Sequence, residues 1–447
     1  MNKCNTEVKG VSMFKLNLHK KTSLTIMFFL IIIFITASIG YIQKTGIHNG
    51  DIGSQSKKKI EKIDPKDFGA VGDGIADDTA ALQKWLDAPG KNKVLKNGTF
   101  KITEGLTSSV DGRTIKTDAA VIVADNTEII MLTVTGNKNR ISVKLNGNYK
   151  AAGGVLIQGA GSEVTNSKIE NIYGINHVAY GIRSETSSGV RIENNIILNI
   201  QSTANGKFGD SIGASRAVFI SSTQAASSMN IVKNNSIIGV TGEEGDAIQF
   251  LFKGGTGAFL DAKGIIQGNT IKNCSRRAIK IQASNVKVLN NTHSNTLSIN
   301  MLPNASNLID IIHSNNIVVE GNTLDARSFQ GISLSGDSND KSSHIVVKSN
   351  VIRGGLSLSN GTRATTNGIY WNNITDSQIV SNSISATVIP ISGSNGTNLI
   401  ITNNRFWGGD QLNPAIYLVA SNSNIYMSNN KQMSGKRFNL IKDYTHN

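Results

Sequence analysis

Ile317-Val318-Val319-Glu320-Gly321-Asn322 and Ile345-Val346-Val347-Lys348-Ser349-Asn350 carry the pattern whose recurrence decides the fold. Each is a short β-branched run of alternating apolar and polar positions, closed by an asparagine and resumed by another apolar residue. Such runs favour strands with one buried and one wet face. The same phrase closes on Asn195, Asn235, Asn269, Asn291, Asn382, Asn404 and Asn430, with a weaker copy at Val164-Thr165-Asn166. The steps between successive asparagines are uneven: Asn269 to Asn291 and Asn382 to Asn404 are the shortest, and Asn195 to Asn235 is the longest. A solenoid with one repeat per coil accounts for this, the shortest step being the bare coil and the longer ones carrying insertions in a turn. Asparagine tolerates the left-handed backbone of a sharp corner, and stacked asparagines can hydrogen-bond along an axis. Sparse leucine and the lack of a recurring helical segment weigh against a leucine-rich repeat.

Composition agrees. The chain has 44 glycines, five prolines and 6% aromatics, which suits many short strands and tight turns. The net charge of +14 is unevenly placed, because residues 1–66 hold 11 lysines and only four acids, half of the excess. No dense basic run follows, so the footprint of nucleic-acid binding is missing. A mildly basic body suits an acidic glycan. Leu24–Ile42 holds no charged residue and is long enough to span a bilayer as a helix. Lys3, Lys9, Lys15, Lys20 and Lys21 precede it, which predicts a cytoplasmic N-terminus. The expected layout is therefore a cytoplasmic segment 1–23, a transmembrane signal anchor 24–42, a tether 43–63 and a β-solenoid domain 64–440 outside the cytoplasm. Ser38-Ile39-Gly40 offers the competing reading, a cleaved signal and a secreted domain. Cys4 and Cys274 flank the apolar segment and cannot pair within one chain.

Asp67-Phe68-Gly69-Ala70-Val71-Gly72-Asp73-Gly74 leads into Asp77-Asp78-Thr79. The glycines fit tight turns, and Asp77 or Asp78 can cap a helix. Leu82, Trp85 and Leu86 form an apolar stripe on that helix, and Pro89-Gly90 ends it. A short helix with one apolar face suits the open end of a solenoid. This motif resembles the start of the pectate-lyase-like superfamily, which includes polygalacturonase-related enzymes and phage tailspikes. With the repeats, the resemblance covers about residues 64–435. It implies an all-β, single-stranded right-handed parallel β-helix acting on carbohydrate, with the motif's aspartates structural. Gly245-Asp246-Ala247-Ile248 resembles the Asp-bearing strand of polygalacturonases, and Arg277-Ala278-Ile279-Lys280 their Arg-Ile-Lys element. The paired aspartates of that family are reduced to one, and no Gly-His-Gly is present.

Each coil carries a second strand upstream of its asparagine. Aligned on their first apolar residue, these strands predict an outward row of Arg183, Phe219, Gln249, Lys280, Asp310, Ser333 and Tyr370. A companion row two residues before the aligned position reads Tyr180, Arg216, Asp246, Arg277, Asn307, Gln330 and Asn367. Strand spacing sets neighbours about 4.8 Å apart. Charge and aromatics concentrate in the middle coils, and insertions at Ser202–Ser215 and Phe252–Lys263 flank them. Asp246, Arg277, Lys280 and Asp310 are the candidate catalytic residues. Tyr180, Arg183, Arg216, Gln249, Glu243, Glu244, His313 and Tyr370 are the candidate substrate contacts. Hydrolysis would use two carboxylates, Asp246 and Asp310. β-Elimination or epimerisation of a uronate would use Arg277 and Lys280, one as base and one neutralising the carboxylate. A non-catalytic glycan-binding or surface-structural protein is the alternative. Trp371 is a sugar platform or a core residue. No cofactor is called for and no metal constellation stands out, although carboxylates and carbonyls would suffice for calcium. The expected partners are an acidic polysaccharide such as capsule or exopolysaccharide, and the membrane through residues 24–42. No oligomeric state is specified.

Overall fold

The computed structural model describes residues 63–447 except 176, 187, 204–212, 243, 256, 258, 298–306, 327–329, 356–366, 409–412, 420, 435–440 and 444–447. Leu24–Ile42, the tether and Glu243 lie outside the described residues. Among the described residues no helix is long and apolar enough to cross a membrane.

Three parallel sheets of 14, 13 and 14 strands run the length of the unit Ile63–Asn447, and every coil contributes one strand to each in turn. The Asn-terminated strands form one sheet, from Asn92–Leu95 to Ser423–Ser428. The strands carrying the candidate residues form the 13-stranded sheet. The third sheet was not anticipated. Its strands start directly after each asparagine, as in Ile196–Ser202 and Ser236–Thr241, and their second residue, Ile197 or Ile237, enters the core. A left-handed residue interrupts such strands, Asn171 and Asn199 among them, which masks the alternation in the sequence. Ile, Val and Leu from all three sheets meet in one continuous core.

The asparagine ladder is present and divides labour within each pair. The corner residue has positive φ: Asn194, Asn234, Gly268, Asn290, Gly321, Ser349, Ser381, Asn403 and Asn429. The asparagine after it turns inward and is buried. There each side-chain carbonyl accepts from the backbone N–H and the amide of the preceding coil's asparagine. Asn269 donates to Asn291 at 3.0 and 2.9 Å, and Asn291 to Asn322 at 2.9 and 3.0 Å. Each amide also reaches a backbone carbonyl, as Asn291 does to Ile266 at 3.0 Å. Such an array satisfies corner polar groups that would otherwise be buried unpaired. At the weaker copy Ser167 takes the inward position and donates to Asn195 at 2.9 Å.

Helix Thr79–Asp87 covers the N-terminal end with Ala81, Leu82, Trp85 and Leu86. Asp78 stands at its N-cap but makes no side-chain cap bond. It accepts instead from Val71 and Gly72 N–H at 2.6 and 3.1 Å, closing the glycine loop. Asp77 accepts from Thr79 N–H at 3.0 Å. Buried Lys93 and Arg113 close the other end of the helix, with the Lys93 ammonium 2.7 Å from the Ala88 carbonyl. Trp371 is wholly buried, lies over Gly393 of the next coil and donates to Asn422 at 3.2 Å, so it is a core residue and not a sugar platform.

Candidate active site

The 13-stranded sheet has the register that the sequence alignment predicts. Arg183 pairs with Phe219, Phe219 with Gln249, Gln249 with Lys280, Lys280 with Asp310, Asp310 with Ser333 and Ser333 with Tyr370. In the companion row Tyr180, Arg216, Asp246 and Arg277 are successive partners. The two rows share a wall because the strand breaks alternation between them: Ala247 and Ile248 are adjacent, yet both enter the core.

The wall is drier than an outward row would be. Phe219, Gln249, Asp310 and Ser333 are buried, as are Arg216, Asp246 and Arg277. Neighbouring coils stand one strand spacing apart, and the side chains fold onto one another. Asp246, with no accessible surface, lies at the centre. Its carboxylate is 3.3 Å from Arg216 Nη2, 3.3 Å from Arg277 Nη1 and 4.0 Å from Lys280 Nζ. Arg277 Nε donates to Asp310 at 2.8 Å, so this guanidinium bridges the two aspartates. Arg216 Nε donates to Gln249 Oε1 at 2.5 Å, and Arg216 Nη2 to Glu244 at 3.0 Å. Arg276 closes the chain through Nη1 on the other oxygen of Glu244. Four cations and three carboxylates thus form one connected network over four coils.

Burial alone would raise the Asp246 carboxyl, but Arg216, Arg277, Lys280 and Arg276 outweigh it and hold it below the ordinary carboxylate range. Glu244 is likewise held low: burial opposes, and Lys280 leads the cations that prevail. Arg277 is kept charged against its burial by Asp246, Asp310 and Glu244. Lys280 goes the other way. Burial first, then Arg277 and Arg216, lowers its ammonium below the ordinary lysine value, although Asp246 and Glu244 oppose. Its side chain keeps 11% of its surface open, whereas Asp246 keeps none.

Asp246, Arg277, Lys280 and Asp310 are therefore brought together, with Arg216, Gln249 and Glu244 around them. Arg277 occupies the space between Asp246 and Asp310 that a hydrolytic pair must leave for sugar and water. Tyr180 and Arg183 lie on the N-terminal side, where the Arg183 guanidinium sits 5.8 Å from the Tyr180 ring and 5.2 Å from the Phe219 ring. Tyr370 is half-buried, three coils C-terminal to Lys280. His313 is a corner residue with φ 45°, and its ring lies 5.9 Å from that of Phe259. Phe259 belongs to the insertion after Phe252 and forms an antiparallel bridge with Lys253. Glu243 lies outside the described residues. Arg276 is the network member that sequence reading missed. It directly precedes the strand Arg277–Gln282, and only the Arg-Arg pair hinted at it.

Residues 153–352 match the family described as "Right handed beta helix region". A 75-residue stretch, 16% of this chain, is 37% identical to the mannuronan C5-epimerase AlgE5 of Azotobacter vinelandii; the match spans 8% of that enzyme. The catalytic unit of the α-1,3-glucanase from Streptomyces thermodiastaticus superimposes with a TM-score of 0.60 at 16% identity, over 88% of this chain and 72% of its own. The adhesin PfbA of Streptococcus pneumoniae superimposes with a TM-score of 0.52 at 16% identity, over 85% of this chain and 99% of its own. The β-helix fold is thus shared with polysaccharide-modifying enzymes and with a surface adhesin.

Proposed function

We propose that this chain modifies an acidic polysaccharide outside the cytoplasm by removing the proton next to a uronate carboxylate, with Lys280 as the base. The carrying observation is Lys280 itself: a partly open amine whose pKa burial holds below the ordinary lysine value, standing 4.0 Å from a buried Asp246 whose carboxyl is held low. A base must be deprotonated to act, and desolvation with neighbouring guanidinium groups favours that form. Asp246 fixes the position of the amine, and Arg216 and Arg277 fix Asp246. Arg276, partly exposed and with an unpartnered Nε, is the cation that meets the substrate carboxylate as charge develops on it. The Lys280 amine takes the proton and the electron pair stays on the sugar carbon. In elimination that pair forms a double bond as the glycosidic C–O bond breaks, and the leaving oxygen takes up a proton. In epimerisation a proton returns to the opposite face. Residues 24–42 hold the domain at the membrane on the outer side.

A panel of polyuronates incubated with the protein in deuterated water tests this. Expected are a new ultraviolet absorbance from the unsaturated sugar, or deuterium at the abstracted position without cleavage, either one lost in Lys280→Ala. New reducing ends without absorbance or deuterium would sink the proton-abstraction reading and favour hydrolysis. One observation supports a second reading, a non-catalytic glycan-binding protein. Each of the three network carboxylates is already paired with a cation. Binding without any turnover would decide for that alternative.

A further inference from the structure

The first row of the wall runs from Thr107 to Lys442, and apart from Lys442 in its last strand two cations stand in it among the described residues: Lys280 and Arg183. They are three coils apart, roughly 14 Å at one strand spacing per coil. Gln249 and Phe219, both uncharged, occupy the two coils between. C-terminal to Asp310 the row is uncharged through Ser333, Tyr370, Ser392 and Tyr417, and the next cation, Lys442, is six coils from Lys280.

Arg183 is built into its place. Tyr180 lies across Gly153 of the preceding coil, where an added Cβ would come within 2.6 Å of the ring. The guanidinium rests over the Tyr180 and Phe219 rings, which confine it without neutralising it. Its carboxylate partner is Glu185 at 2.9 Å, itself held by Gln158 at 3.0 Å. Both members of the Arg183–Glu185 pair are about a third exposed, so solvent screens the pair and leaves it weak. The Arg183 Nε is buried with no hydrogen-bond partner, while the side chain as a whole keeps 30% of its surface exposed.

We infer that Arg183 is a remote carboxylate subsite: the substrate is an extended chain running N-terminally from Lys280, with a second acidic sugar three residues from the one that reacts. A pyranose in an extended chain advances by about one coil, so each sugar meets one coil. The fourth sugar is then the first to reach Arg183. This rests on the acidic-glycan reading above, and adds a minimum length, a direction and a charge spacing to it.

The test measures binding by isothermal titration calorimetry of oligouronates from disaccharide to hexasaccharide, with neutral oligosaccharides of equal length as control. Wild type should gain about tenfold in affinity between the tri- and tetrasaccharide, the worth of one charge-assisted contact. Arg183→Met should lose that step and leave the shorter ligands unchanged. Arg183→Lys, which keeps the charge without the planar fork, should retain part of it and guards against a folding defect in the methionine variant. A wild type with no step at four sugars, or variants that weaken all lengths equally, would overturn the subsite. A step at four sugars with no turnover would leave the subsite standing and sink the role of Lys280, while failure to bind any oligouronate sinks both.

Discussion

Replacing His293 by leucine should remove a specific acid weakness from the coil. His293 lies in the strand Thr292–Ser294, with Ile271 and Leu324 as its neighbours in the adjoining coils, both core residues. It is 2% exposed. Its Nδ1–H donates to the Asp325 carbonyl at 3.2 Å, and Nε2 has no partner. Protonation would place an unpaired N–H and a charge among aliphatic groups. Burial accordingly pulls the imidazole down from 6.5 to about 4, against a small opposing effect of the Asp325 carbonyl. The unfolded chain takes up this proton at the higher pH. Stability contributed by the neutral ring is therefore complete above about pH 6.5 and is lost as pH falls toward about 4. The interval is worth about 3 kcal/mol in all, of which about 2 kcal/mol is gone by about pH 5. Carboxylates titrate over the same range, so the informative quantity is the difference between wild type and His293→Leu. Urea unfolding at neutral pH and at about pH 5 should show that difference shifting by about 2 kcal/mol in favour of the variant. A difference that stays constant with pH would refute the reasoning, because the ring would then be free to ionise in place.

Four further outcomes follow from the geometry. Asn291→Ala removes four hydrogen bonds and strands the Ile266 carbonyl and the Asn269 N–H, so chemical unfolding should show a loss of about 4 kcal/mol. Its neighbour Asn290, at φ 54°, supplies only a conformation: Asn290→Ala should cost about 1 kcal/mol and Asn290→Gly almost nothing. Gly393→Ala would drive a Cβ to 2.0 Å from the Trp371 ring and should cost about 3 kcal/mol, visible as a lowered melting temperature. Asp246→Asn removes a carboxylate that raises the Lys280 pKa, so any turnover that needs neutral Lys280 should have its rising limb moved to lower pH, at a stability cost of about 3 kcal/mol from the two arginines left underpaired.

Much of this architecture was legible because a parallel coil obeys one rule of register. Once Asn195 to Asn430 set the coil boundaries, aligning the upstream strands on Ile182, Val218, Ile248 and their counterparts put Gln249, Lys280 and Asp310 in one line, and the pairing agrees. The third sheet was hidden by the left-handed residues inside its strands, such as Asn199, which break a period of two. The burial of the wall was hidden for a different reason. Alternation says which way a side chain leaves the strand, but not that Arg216 and Arg277 will fold down onto Asp246 from the coils on either side. Trp371 was ambiguous because its accommodation depends on Gly393, distant along the chain and adjacent only across a coil. Arg276 escaped because the strand pattern starts at the next residue.

The strongest argument that the wall serves a purpose is energetic. Removing ions from water costs several kcal/mol each, and even a well-paired buried cluster is commonly no more stable than an apolar replacement of the same volume. Along the rest of the coils the solenoid observes a more economical rule: its interior is mainly aliphatic, and apart from His293 and from Asp78, Lys93 and Arg113 at the capped end its buried polar groups are uncharged, chiefly asparagines and serines that bond to the backbone. At Arg216, Glu244, Asp246, Arg277 and Asp310 the rule is broken on one face, in consecutive coils, around a single lysine that keeps a small part of its side chain exposed. Mere surface pairing would leave those groups hydrated at little cost. A rigid, dry bed of fixed charges gives the neighbouring amine a set position and a lowered proton affinity before any substrate arrives, and electrostatic catalysis depends on such preorganisation.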